Sequence, residues 1–303
     1  MKAKTIKSVL RKKVDDWLAS IEDEELRELC RKNTIVTGGC IASMLLGEKV
    51  NDFDIYFTNK ETVLAVANYY VTKFIENPPT RFKDGGKCVP IYVIEEGDRV
   101  KIKVQSAGIV GEQAEDEYQY FEQTDPESTD PFDYVDRVMD VAEATNEKPK
   151  YRPIFLSSNA ITLSNDIQIV IRFYGDAETI HKNYDFVHCT NYWTSKDNVL
   201  TRRQEALECL LARELKYMGS KYPICSVIRT RKFLRRGWSI TAGQYLKMAM
   251  QISELDLEDI HVLEDQLTGV DVFYFLEVLE ALKEKGTERV DRAYLCEIID
   301  RMF

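Results

Sequence analysis

Apolar residues recur at helical spacing over residues 5–33, with Val9, Val14, Leu18, Ile21, Leu26 and Leu29 on the repeating face. That period predicts one or two amphipathic helices. The pattern then shortens. Thr34-Ile35-Val36-Thr37 is a β-branched run and reads as a strand. Ile41, Met44, Leu45 and Leu46 return to helical spacing, and Gly47 is a natural stop. Residues 52–57 alternate, so Asp52 and Asp54 share one face of a strand while Phe53 and Ile55 point to a core. A helix follows over 60–76 and breaks at Asn77-Pro78-Pro79. A hairpin is expected through Val89–Ile94 and Val100–Val104, with Gly97-Asp98 near its turn. Residues 154–192 return to strands, strongest at Ile167–Phe173, and Tyr184–Cys189 reads as a strand beside it. From about 199 the period is helical, over 199–217, 240–253, 256–266, 271–285 and 288–302. The class predicted is α+β: a helical segment over 1–33, a mixed-sheet domain over 34–198 and an all-helical domain over 199–303.

Composition narrows this only slightly. With 303 residues, 44% hydrophobic and 11% aromatic, the chain is globular and long enough for two domains. No stretch approaches the length of a membrane span. Met1-Lys2-Ala3-Lys4 leads into a helix and lacks the apolar core of a signal peptide, so a cytoplasmic protein is expected. Seven scattered cysteines (30, 40, 88, 189, 209, 225 and 296) form no Cys-x-x-Cys pair, which argues against a zinc site or a disulfide framework.

Charge is more informative in its distribution than in its total of −10. Residues 111–147 hold thirteen acids against one base, Arg137, and read as an acidic insertion over 111–150, with a helix over Phe132–Ala144. Residues 200–236 hold ten bases against three acids. Within that block, Lys216, Arg229, Arg231, Lys232, Arg235 and Arg236 are the candidate contacts to a triphosphate or to nucleic acid. Tyr217, Tyr222 and Trp238 lie among them and offer stacking faces or core packing.

The chemistry concentrates where the first strand ends. Gly38 and Gly39 have no Cβ and let a ligand approach the backbone. The helix start that follows, with Cys40 and Ser43, presents amides and a positive dipole end to phosphate. Asp52 and Asp54 would repel by about 4 kcal/mol at about 4 Å and an effective dielectric near 20. A hard cation relieves that repulsion, and Mg²⁺ favours one or two carboxylates plus substrate phosphates.

The run Gly38-Gly39-Cys40-Ile41-Ala42-Ser43-Met44-Leu45-Leu46-Gly47, followed by Asp52-Phe53-Asp54-Ile55 and Thr58-Asn59-Lys60-Glu61, resembles the signature of the DNA polymerase β-like nucleotidyltransferase superfamily. Within it the run is most similar to the head domain of bacterial CCA-adding enzymes and poly(A) polymerases. The likeness covers residues 34–63 and is weak elsewhere; the family has Arg-Asp where this chain has Ala42-Ser43. The resemblance implies a template-independent transferase. It would use a nucleoside triphosphate and two Mg²⁺ ions (Mn²⁺ as the alternative), with an RNA 3′ end, such as that of tRNA, as acceptor.

The resemblance also implies a third acid. Asp185 is the first choice, within a stretch similar to the Asp-Phe-x-x-x-Ala of that group, and Asp166 is the second. His181 and His188 flank Asp185 as weak metal candidates. Two other readings stay open: an inactive nucleotidyltransferase-fold module that binds nucleic acid or protein, and a toxin-like transferase acting on a protein or a small molecule.

Overall fold

The alternating and β-branched runs assemble into one mixed sheet, described here from a computed structural model. The structure describes residues 1–77, 83–84, 87–88, 90–104, 150–267 and 291–302. The acidic block 111–147, its expected helix over Phe132–Ala144, and the helix expected over 271–285 lie outside the described residues.

Two helices lead in, α1 (Ala3–Ser20) and α2 (Glu24–Asn33). The Asp23 carboxylate caps α2 by accepting from the Leu26 amide at 3.0 Å. Then come β1 (Thr34–Thr37), α3 (Gly39–Leu46), β2 (Phe53–Phe57) and α4 (Lys60–Glu76). The Asn59 side chain caps α4 through the Thr62 amide at 2.9 Å. Short strands β3 (Lys83–Asp84) and β4 (Lys87–Cys88) pair with each other, and β5 (Ile91–Glu96) pairs with β6 (Arg99–Val104) as a hairpin. The chain continues through β7 (Pro153–Leu156), β8 (Ala160–Leu163), β9 (Ile167–Tyr174) and α5 (Ala177–His181) to β10 (Tyr192–Thr194) and β11 (Val199–Thr201). The seven-stranded sheet runs β11-β10-β1-β2-β9-β8-β7. Its β2–β9 pair is parallel and its other pairs are antiparallel.

The chain divides into two compact units. The first holds this sheet and helices α1 to α5. Its core joins Ile6, Leu10, Val14 and Trp17 of α1 to Val36, Ile55, Phe57 and Ile169 of the sheet and to Val63, Val66 and Phe74 of α4. Inside it the Trp17 indole N–H donates to the Tyr70 hydroxyl at 2.7 Å, so the polar edge of a fully buried Trp is satisfied.

The second unit takes residues 182–188 together with 204–303. It is mainly helical: α6 (Gln204–Ala212), α7 (Pro223–Arg235), α8 (Ala242–Ser253), α9 (Ile260–Leu267) and α10 (Arg292–Met302). A parallel two-residue pair, β12 (Glu214–Leu215) with β13 (Ser239–Ile240), is set among them. Two segments differ from the sequence expectation. Residues 199–201 form the edge strand β11 rather than the start of a helix. Tyr184–Cys189 is not a strand: Phe186 makes a single bridge to Tyr217, and Val187–Cys189 closes as a 3-10 turn.

Candidate active site

The site follows from the register of β1 and β2. The two strands are antiparallel with Val36 opposite Ile55, so the C-terminal end of β1 lies beside the N-terminal end of β2. The chain leaves β1 through Gly38 and Gly39 at the end where Asp52 and Asp54 enter β2. Gly38 sits at φ 97°, ψ −152°, a conformation that only glycine adopts without strain. Its amide donates to the Cys189 carbonyl at 3.1 Å, which fixes the turn. Gly39 opens α3, and a methyl group placed on it would meet no atom within 4 Å. Gly39 is exposed, so its backbone is within reach of a ligand.

Asp52 precedes β2 and Asp54 lies within it, at the end of the strand beside this corner. Phe53, Ile55 and Phe57 are buried, whereas Asp54 is half-buried and Asp52 is exposed. Cys40 reports their position. Its thiol is 2% exposed, and its pKa is pushed well above the ordinary value by burial first and then by the charges of Asp54 and Asp52. The charges of both carboxylates are therefore felt in the first turn of α3. Two carboxylates beside an open glycine turn suit a hard divalent cation that takes its remaining ligands from phosphate and water. Cys40 itself can offer only its backbone, since its side chain is enclosed. Ser43 is half-buried, and its carbonyl accepts from the Glu48 amide at 2.9 Å.

Strand β9 sets no third acid in register with Asp54. On the neighbouring strand β9 the residue in register with Asp54 is Gln168, an amide. Asp166, just before β9, has φ 53° and pairs with Lys13 of α1 at 3.4 Å. Lys13 lies over the Phe53 ring at 4.9 Å, so Asp166 is held toward the face that Phe53 occupies. Asp185 belongs to the second unit and is 7% exposed. One of its oxygens is ion-paired with Arg229, and the other, Oδ1, is buried without a hydrogen-bond partner. Among the described residues, no group of three or more His, Cys, Asp or Glu is arranged to hold a metal ion by itself.

A relay beneath the glycine turn gives no signal in the sequence. The Thr37 hydroxyl donates to the Asn191 carbonyl at 2.9 Å and lies 2.8 Å from His181 Nε2. Having one proton, the hydroxyl must accept from His181, which places the imidazole proton on Nε2. Nδ1 is then free to accept from Arg203 Nη1 at 3.4 Å. Burial, and then the Arg203 charge, lower the His181 pKa to about 4, in keeping with this neutral tautomer. His181 is thus a structural group that braces the end of β1. Thr37 and His181 are 144 residues apart, and only the fold brings them together.

His188 is similarly committed, in the second unit. It is 1% exposed, stands 4.4 Å from the Trp238 ring and 4.7 Å from Phe233, and has no hydrogen-bond partner at either ring nitrogen. Burial, then the Arg236 charge, lower its pKa to about 3, with Asp185 opposing.

The expected nucleic-acid contacts separate into two sets. Lys216 is ion-paired with Glu205, and Arg229 with Asp185. Tyr217, Tyr222 and Trp238 are buried, so none offers an open stacking face. Arg231, Arg235 and Arg236 are exposed at the C-terminal end of α7, and Lys232 is half-buried there. Cations at that end complement the helix dipole.

Among solved structures, the chain is similar to the Thermotoga maritima CCA-adding enzyme complexed with tRNA, at a TM-score of 0.38 and 15% identity, over 84% of this chain and 50% of that one. It is also similar to the Bacillus stearothermophilus CCA-adding enzyme in complex with CTP, at a TM-score of 0.37 and 12% identity, over 82% and 49%. The chain thus spans about half the length of these proteins. A curated relative, Gabija anti-defense 2 of Bacillus phage SPbetaL7, is 24% identical over 128 residues, which are 41% of this chain and 32% of that protein. A family model described as "Gabija anti-defense 2 family protein" matches residues 8–213, a stretch that includes Gly38, Gly39, Asp52 and Asp54. The chain belongs to the Gabija anti-defense 2 family.

Proposed function

We propose that this protein transfers a nucleoside monophosphate from a nucleoside triphosphate to an acceptor hydroxyl, with Asp52 and Asp54 as its metal-binding acids. The observation that supports this reading is the β1–β2 register, which sets the strand end carrying Asp52 and Asp54 beside the glycine turn that opens α3. In this reading the amides of Gly39 and the first helical turn receive the triphosphate, and the α3 dipole favours its charge. Divalent magnesium, when bound, supplies charge stabilisation at the attacking and leaving oxygens. Asp52 and Asp54 would hold it, and Gly38 would keep the backbone clear of the phosphates. Thr37, braced by His181, fixes the angle at which the chain enters the turn. The rest of catalysis is positioning. The acceptor class favoured by the sequence resemblance is an RNA 3′ hydroxyl. Asp185 takes no step here, because its carboxylate is committed to Arg229.

Incubation of the protein with Mg²⁺, total RNA and each labelled nucleoside triphosphate tests the reading. Incorporation with at least one triphosphate is expected, lost in Asp52→Ala and Asp54→Ala.

A second reading is favoured by two observations. Ala42 and Ser43 stand where the resembled family has Arg-Asp, and the family to which the chain belongs is named for anti-defense. In that reading the protein acts by occupying a target rather than by modifying it. Protection of phage from the defense system by the Asp52→Ala, Asp54→Ala double variant, equal to that given by the parent chain, is its expected result.

A further inference from the structure

The face of the sheet turned away from the core carries a polar row at the level of Asp54. Phe53 and Ile55 of β2, Ile167 and Ile169 of β9, and Ile161 and Leu163 of β8 all belong to the core. Side chains alternate along a strand, so Asp54, Gln168 and Thr162 stand together on the opposite face. The register aligns them. Asp54 pairs with Gln168 in the parallel β2–β9 ladder, and Gln168 pairs with Thr162 in the antiparallel β8–β9 ladder. On the other flank, one step beyond the Val36–Ile55 pair sets Thr37 beside Asp54. Paired strands lie about 4.8 Å apart, so each of these side chains is next to its neighbours in the row.

Asp54 is the single carboxylate among these four residues. The Thr37 hydroxyl is already used, since it donates to the Asn191 carbonyl and accepts from His181. Thr162 is buried. Gln168 is half-buried, as Asp54 is. Its amide offers two N–H donors and a neutral acceptor oxygen, and it brings no negative charge to a cation.

We infer that Gln168 is a positioning residue of the proposed site: it keeps the place beside Asp54 neutral, so that the divalent cation binds together with the triphosphate and not before it. The inference rests on the transfer reading and adds to it a dependence of one ligand on the other. Cation affinity rises with the number of carboxylates in the site, and Mg²⁺ gives up its waters reluctantly. Asp52 and Asp54 alone would leave most of the shell of an ion in the free protein to water. The triphosphate supplies the negative charge that the protein leaves out. Binding of ion and triphosphate is then coupled, each raising the affinity of the other by the same factor. A carboxylate at position 168 would hold the ion without nucleotide, and it would repel the phosphate oxygens that an amide N–H receives.

Calorimetric titration of Mn²⁺ into the full chain tests the inference without turnover, alone and with the non-hydrolysable α,β-methylene analogue of each nucleoside triphosphate. In the parent chain Mn²⁺ should bind at least about tenfold more tightly with one of the analogues than alone. Gln168→Glu should bind Mn²⁺ alone at least about tenfold more tightly than the parent chain does. Gln168→Met, similar in shape and uncharged, should bind Mn²⁺ alone as the parent chain does; a purely structural role for Gln168 predicts no such difference between the two variants. Adding Asp54→Asn to Gln168→Glu should cancel the gain, because the ion then loses one of the two carboxylates that hold it. Circular dichroism confirms that each variant folds. Two results would overturn the inference while leaving the transfer reading in place: an analogue that binds although Gln168→Glu gains no affinity for Mn²⁺, or a parent chain that binds Mn²⁺ equally tightly with and without a bound analogue. Failure of all four analogues to bind in the presence of Mn²⁺ would remove the transfer reading and the inference with it.

Discussion

Asp185 and His188 lie three residues apart and show how burial decides a role. Asp185 was the natural third acid by sequence, yet its carboxylate is enclosed and pairs with Arg229. Removing Arg229 leaves a buried charge uncompensated, which costs about 3–5 kcal/mol in a fully enclosed pair. The Arg229 side chain is 41% exposed, so the cost of Arg229→Ala should fall below that range, at about 2 kcal/mol. Chemical denaturation measures it, and an unchanged midpoint would remove the structural role given to this pair.

His188 makes a pH prediction. Its folded pKa, about 3, lies below the ordinary value of about 6.5. The neutral ring is therefore the folded form, and the unfolded chain binds more protons between those two values. The stability this contributes is full above pH 6.5 and is lost as pH falls toward 3, by about 1.4 kcal/mol for each unit. His181, at about 4, adds to the same slope. The melting temperature should therefore fall steadily from pH 7 to pH 4.5, and His188→Phe, which keeps an aromatic ring in the cage, should flatten that fall. Neither burial nor these partners can be read from the sequence. The alternation that buries Phe53 and Ile55 and leaves Asp52 and Asp54 less covered, by contrast, is legible, because a two-residue period is a local property.

At the scale of elements, the turn between β1 and α3 offers a contrast of two adjacent glycines. Gly38 has φ 97°, so Gly38→Ala should cost roughly 1–3 kcal/mol through backbone strain. Gly39 is helical with open space around it, so Gly39→Ala should leave stability equal or higher by up to about 1 kcal/mol. In the proposed reaction the added methyl stands where phosphate enters, and triphosphate binding weakens. Thermal melts with and without Mg²⁺ and triphosphate separate the two effects. A Gly39→Ala protein that both gains stability and keeps its triphosphate shift would remove Gly39 from the binding corner.

The elements around this turn were legible because their patterns are long or strongly punctuated: α4 begins at a capping Asn59, and α3 ends at Gly47 with φ 77°. Val199–Thr201 was not, because three residues carry too little period to be told from a helix start. Tyr184–Cys189 has the composition of a strand, but a 3-10 turn takes it out of the sheet. Helix α8 was legible as a helix, while the side it buries was not. The tyrosine and serine groups that its glutamines satisfy lie 27 to 34 residues earlier in the chain.

For the whole molecule, a sheet-bearing unit carries the acid pair and a mainly helical unit carries the exposed bases. Among the described residues no helix is long and apolar enough to cross a membrane. Membership of the Gabija anti-defense 2 family sets the biological frame within which the proposed transfer reaction would act. The most direct measurement of that chemistry is Mg²⁺-dependent incorporation of labelled nucleoside triphosphate into RNA by the parent chain and by Asp52→Ala and Asp54→Ala. Incorporation by the parent chain, reduced by at least about a hundredfold in each variant, is the predicted result. Incorporation that persists undiminished in both variants, or its absence from the parent chain with all four triphosphates, would contradict the account.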